Sequence, residues 1–185
     1  KNRFIKIKAR YRGDFIRHWG YFKKSIRIKT SKKNLFEEMH KFNLIAPKFH
    51  MKVSNYISYK LMNLMGMITP RSELVNLVIN GKSNGVYLLV EQIDESTIIN
   101  HKLMPGDIYK GELVAKDAYT SWVTNVFNYP GIWEKVAYNN HYPENSNTPI
   151  KKLINLINSA QTDEVQEELL GIIDIKEWGK FFAFQ

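Results

Sequence analysis

The sequence predicts an α+β fold in which an antiparallel β-sheet with one helix comes first and further helices follow. Three observations predict it. Two basic segments near the start alternate with a period of two, a turn joins two apolar runs mid-chain, and four segments repeat apolar residues at helical spacing.

Taken in order, residues 3–12 place Ile5, Ile7, Ala9 and Tyr11 on one face and Lys6, Lys8, Arg10 and Arg12 on the other. That is the pattern of a half-buried strand. Gly13-Asp14 breaks it. After a loop rich in aromatics (Phe15, His18, Trp19, Tyr21, Phe22) alternation resumes at residues 24–29. There Lys24, Ile26 and Ile28 share one face, and Ser25, Arg27 and Lys29 the other. Two basic strands flanking a short loop read as an antiparallel pair.

Residues 52–65 put Val53, Tyr56, Ile57, Leu61, Leu64 and Met65 at helical spacing, with Gly66 placed to end the helix. Glu73–Ile79 and Val86–Val90 are apolar strands joined by Asn80-Gly81-Lys82-Ser83-Asn84-Gly85, which is turn chemistry, so they form a hairpin. Glu91-Gln92-Ile93-Asp94 leaves it as a polar exit, and Asp107–Lys110 reads as one more short strand. The stretch from Trp122 to Pro149, rich in aromatics, Asn and Pro, predicts an irregular excursion. Helical patterns follow at 150–159 and 163–172, the latter opened by Thr162-Asp163-Glu164, and a third starts near Ile175 with Trp178, Phe181, Phe182 and Phe184. The expected organisation is a sheet-bearing region at 1–112, an insertion at 113–149 and helices at 150–185. A start inside a strand and an end inside an apolar helix make the chain, by expectation, the N-terminal part of a larger domain.

Composition narrows the function classes. With 44% hydrophobic and 24% charged residues the 185-residue chain is globular rather than disordered. No apolar run approaches the roughly 20 residues of a membrane-spanning helix. The absence of cysteine removes disulfides, thiolate nucleophiles and cysteine zinc sites. The five histidines show no metal-binding spacing, so no metal site is expected from them. The net charge of +9 is regional: residues 1–33 hold thirteen Lys and Arg against Asp14 alone, and the remainder of the chain is weakly acidic. A field of that sign attracts phosphates, nucleic acid or anionic surfaces.

Several ordered pieces resemble one family. Tyr11-Arg12-Gly13-Asp14, Lys23-Lys24-Ser25-Ile26-Arg27-Ile28-Lys29, the step from Leu64-Met65-Gly66 to Pro70-Arg71, and Asn80-Gly81 followed by Gly85-Val86-Tyr87-Leu88-Leu89-Val90-Glu91-Gln92-Ile93-Asp94 are similar to the CotH kinase family. The likeness covers roughly residues 6–112 and continues more weakly to the end. It implies an atypical protein-kinase-like N-lobe running into the first helices of a C-lobe, with ATP and a divalent metal (Mg or Mn) as cofactors. It also implies a coat or surface protein as substrate, and a location in the spore coat, on the cell surface or outside the cell. Other members of the family are adhesins.

By that resemblance Arg12 and Gly13 form the phosphate-covering loop; read alone, they are a hairpin turn. Lys24 is the first choice for the strand lysine that reaches the phosphates and Lys29 the second, with the cleft-lining face of the strand left open. Glu91, Gln92 and Ile93 correspond to the hinge, whose main-chain groups meet the base edge. The helix at 52–65 contains no acid to pair with a strand lysine, so a partner is sought at Glu37 or Glu38. No catalytic residue and no metal ligand is expected within this sequence; the family places them beyond Gln185.

Three function classes follow. The first is the nucleotide-binding portion of an ATP-dependent phosphotransferase, inactive alone. The second is a non-catalytic surface or coat-assembly module on the same fold. The third, ranked last, is a single-strand nucleic-acid binder, because the basic strands carry interleaved aromatics but no RNA-binding motif.

Overall fold

A computed structural model of the chain describes residues 4–13, 20–47, 52–111, 127, 130–137, 147–160 and 162–184. Asp14, Phe15, His18 and Trp19 of the aromatic loop lie outside these residues, as does most of the expected excursion. The chain divides into two compact units, Lys1–Leu103 and Met104–Gln185.

The first unit is built on a five-stranded antiparallel sheet of order β1-β2-β3-β5-β4. Its strands are β1 (Ile7–Tyr11), β2 (Ile26–Thr30), β3 (Lys41–Ile45), β4 (Ser72–Ile79) and β5 (Lys82–Glu91). Helix α1 (Lys52–Leu64) joins β3 to β4, and α2 (Glu95–Asn100) follows β5. The expected strands and the first helix are all present. Strand β1 is exposed along its whole length, since it is an edge strand paired with β2 alone, so its alternation marks a place in the sheet rather than half-burial.

Strand β3 was not expected. It alternates, with Lys41 and Asn43 on one face and Phe42 and Leu44 on the other, but the run is only five residues long and Phe42, Asn43 and Leu44 are all buried. The mid-chain hairpin turns on Asn80-Gly81 alone, both at positive φ, and β5 resumes at Lys82. Asn84 and Gly85 form a bulge opposite Leu77, with Gly85 at φ +75°, a conformation that suits glycine. Helix α2 follows directly on the polar exit, whose last residue, Asp94, is its N-cap. It is closed by a capping box in which the Asp94 carboxylate accepts the Ser96 N–H at 2.9 Å and the Asp94 N–H donates to Thr97 Oγ1 at 3.2 Å.

One face of the sheet carries the core: Ile28 from β2, Phe42 and Leu44 from β3, Tyr87 and Leu89 from β5, with Ile26, Val75 and Leu77 beside them. Residues of the β2–β3 connection fold over that face. Met39 is fully buried and the Phe36 ring lies 5.1 Å from Phe42.

In the second unit β6 (Ile108–Gly111) pairs antiparallel with β7 (Trp133–Ala137), preceded by a 3-10 turn at Pro130–Ile132. The Asp107–Lys110 strand thus pairs within the second unit instead of extending the first sheet. Gly111 lets Trp133 pack tightly, because a Cβ there would lie 3.1 Å from the indole ring. Buried Lys135 pairs with Asp107 at 2.7 Å. Helices α3 (Thr148–Ser159), α4 (Asp163–Ile172) and α5 (Ile175–Phe184) stand where the periodicity places them. Ile150, Ile154 and Leu156 supply the buried stripe of α3, and Lys152 pairs with Glu168 of α4 at 2.9 Å.

Candidate functional site

The face of the sheet opposite the core is cationic across β1, β2 and β3. Register places Lys8 opposite Lys29 and Lys29 opposite Lys41, a row of three lysines on three neighbouring strands. Two residues along, Arg10 lies opposite Arg27, and Arg27 opposite Asn43. With Ala9 and Gln92 these five cations line a cleft of about 430 Å³, and none of its described lining residues is acidic. Buried Asn43 orients one of them, its Oδ1 accepting from Arg27 Nε at 3.1 Å.

Like charges set directly opposite each other destabilise a sheet. At neighbouring-strand distance the repulsion is on the order of 1 kcal/mol in water and several in a shielded cleft. Lys8, Arg10, Lys29 and Lys41 form no ion pair among the described residues that would offset it. An anion seated in the cleft removes this cost.

His40 reports the same field. Burial, then the charges of Lys29 and Lys41, hold its pKa below the ordinary 6.5, with Lys32 adding to the depression and Asp94 opposing it. Among the described residues its Nδ1 is buried without a hydrogen-bond partner, and so is Oε1 of Gln92.

The hinge residues separate. The Gln92 N–H donates to the Lys41 carbonyl at 2.9 Å, which ties the end of β5 to the cationic row. Glu91, 4% exposed, does not face the cleft. Its carboxylate accepts the Arg71 N–H at 3.0 Å and the Thr97 hydroxyl at 2.9 Å, and its own N–H donates to the Arg71 carbonyl at 2.8 Å. Glu91 lines a separate cavity of about 300 Å³ with Tyr59, Lys60, Asn63, Arg71 and His101. Two of the three hinge N–H groups, those of Glu91 and Gln92, are therefore engaged within the fold. The Ile93 side chain is exposed.

Among the other sequence candidates, Lys29 stands in the cationic row. Lys24 does not line the cleft; its Nζ lies 4.7 Å from the centre of the Tyr11 ring. Arg12 closes the end of β1 through its N–H to the Ser25 carbonyl at 2.9 Å, and Gly13 takes φ +111°, which suits glycine. Fully buried Ser25 is a structural anchor, its Oγ accepting the Ala46 N–H at 3.1 Å. Glu37 pairs with Arg71 at 2.9 Å rather than with Lys24. The structure brings Lys29 and Gln92 together and adds Lys8, Arg10, Arg27 and Lys41 to them. Alternation places Lys8 and Arg10 on one strand face and Arg27 and Lys29 on another, but the register that joins the strands, and Lys41, were not readable.

An antiparallel sheet with one long helix, a cationic cleft on the face opposite its core and a following mainly helical unit define a mixed α+β protein. The chain belongs to the CotH kinase protein family, which it matches over residues 9–185. It is also similar to the inner spore coat protein H of Bacillus subtilis (strain 168), at 25% identity over 181 residues, 97% of this chain and 49% of the relative. The chain thus spans about half the length of that curated relative.

Proposed function

We infer that this chain is the nucleotide-binding portion of a CotH-like, ATP- and metal-dependent protein kinase of the spore coat. The observation that carries the reading is the cleft itself: five cations from three strands, one of them (Arg27) held by buried Asn43, bordered by the hinge residue Gln92. Lys29, Lys41 and Arg27 are the groups assigned to the phosphate oxygens, because charge-assisted contacts of this kind are the strong ones. The kinase family match supports ATP as the ligand, and the name of the similar coat protein supports the location and a coat protein as phosphoacceptor. Among the described residues no group of three His, Asp or Glu side chains is placed to hold a metal ion. The ligands of Mg or Mn, and the base that takes the acceptor's proton, are assigned to the rest of the protein.

Calorimetric titration of the full-length protein with ATP tests the reading. Binding is expected, and Lys29→Ala and Lys41→Ala should each weaken it about tenfold, the loss of one charge-assisted contact. If ATP fails to bind both with and without metal, the reading gives way to a non-catalytic coat-assembly module.

A further inference from the structure

We propose that the cationic face takes a linear polyphosphate chain bare, without a divalent metal, and that the phosphates rather than the base supply most of the binding. The proposal rests on the nucleotide reading and refines it: metal is required for transfer, not for holding the ligand.

Charge balance is the first argument. A metal ion chelated by a triphosphate cancels two of its negative charges, and a site built for that complex needs few cations of its own. This cleft presents five.

Shape is the second. Neighbouring strands lie about 4.8 Å apart, so the row from Lys8 through Lys29 to Lys41 extends roughly 10 Å across the sheet. Arg10 and Arg27 form a parallel row beside it. Two parallel rows flank an extended chain of phosphates better than a compact single phosphate.

The third argument concerns the base. The N–H groups of Glu91 and Gln92 already serve main-chain carbonyls. A base edge at the hinge therefore gains little from them, and the phosphate end dominates.

The test is a titration of the full-length protein at low ionic strength with ATP in EDTA, ATP in excess Mg²⁺, inorganic triphosphate in EDTA, and adenosine. ATP and inorganic triphosphate should bind in EDTA with Kd values within about threefold of one another, both weakening as salt rises. Excess Mg²⁺ should weaken ATP about tenfold, and adenosine should not bind. Lys8→Gln and Arg10→Gln, on an exposed edge strand, should weaken ATP and triphosphate alike while leaving the melting temperature unchanged. ATP binding that appears only with Mg²⁺, or adenosine binding as tightly as ATP, overturns the proposal and leaves the nucleotide reading standing. Failure of ATP under every condition removes that reading itself. A single-stranded oligonucleotide that binds more tightly than triphosphate also overturns the proposal, in favour of a nucleic-acid surface.

Discussion

The two faces of the five-stranded sheet are made by the same alternation and have opposite energetic signs. On one, Ile28, Phe42, Leu44, Tyr87 and Leu89 leave water together and hold the strands in register. On the other, Lys8, Lys29 and Lys41 stand opposite one another and push the same strands apart. A sheet keeps such a face only because the first face is strong enough to carry it. The contrast separates what the fold needs from what a ligand needs, and substitutions on the two faces should differ in kind.

The largest effect is expected on the core face. Phe42→Ala removes a buried ring that packs on Phe36, and it should cost about 3–5 kcal/mol in denaturant unfolding. A loss below about 1 kcal/mol would mean that the sheet is held from its other side. On the cationic face the sign should reverse. Lys29→Met keeps the length of the stem, removes the charge shared between Lys8 and Lys41, and should leave stability unchanged or raise it by up to about 1 kcal/mol. The same variant should bind ATP about tenfold more weakly. Stability and affinity moving together, both downward, would show Lys29 to be part of the scaffold.

The comparison also explains what was legible beforehand. Where one face is buried and the other is not, alternation survives in the sequence, and β2 was readable for that reason. Strand β1 was readable although wholly exposed, because its pattern mirrors that of its partner. Strand β3 is five residues long and its Lys41-Phe42-Asn43-Leu44 alternation is too short to stand out, so Lys41, the inner end of the row, was missed with it. Helix α2 is six residues long, too short for periodicity, although its Asp94–Thr97 capping box was present to be seen. For the site, the family likeness pointed to Lys24 first and Lys29 second, and to Glu91, Gln92 and Ile93 together; of these, Lys29 and Gln92 line the cationic cleft. Glu91 and Gln92 are adjacent in sequence but face different cavities, a distinction that needs the strand's actual pairing.

The smallest effect joins the two faces through His40. Its folded-state pKa lies below 6.5 because burial and the neighbouring Lys29 and Lys41 disfavour the imidazolium, with Lys32 acting in the same direction and Asp94 against it. The unfolded chain takes up the proton near 6.5 and the folded chain only at lower pH. Unfolding is therefore favoured as pH falls through that window, and the stability contributed by a neutral His40 is complete only above it. Thermal melts between about pH 8 and pH 5 should show this decline, and His40→Gln should make it shallower. A polyphosphate on the cationic face opposes the field of Lys29 and Lys41, so its presence should raise the His40 pKa and flatten the same decline. Following the His40 ring protons by NMR, with and without inorganic triphosphate, reads that shift directly. A pKa that does not move when triphosphate binds would place the ligand away from the Lys29–Lys41 end of the row and confine it to β1.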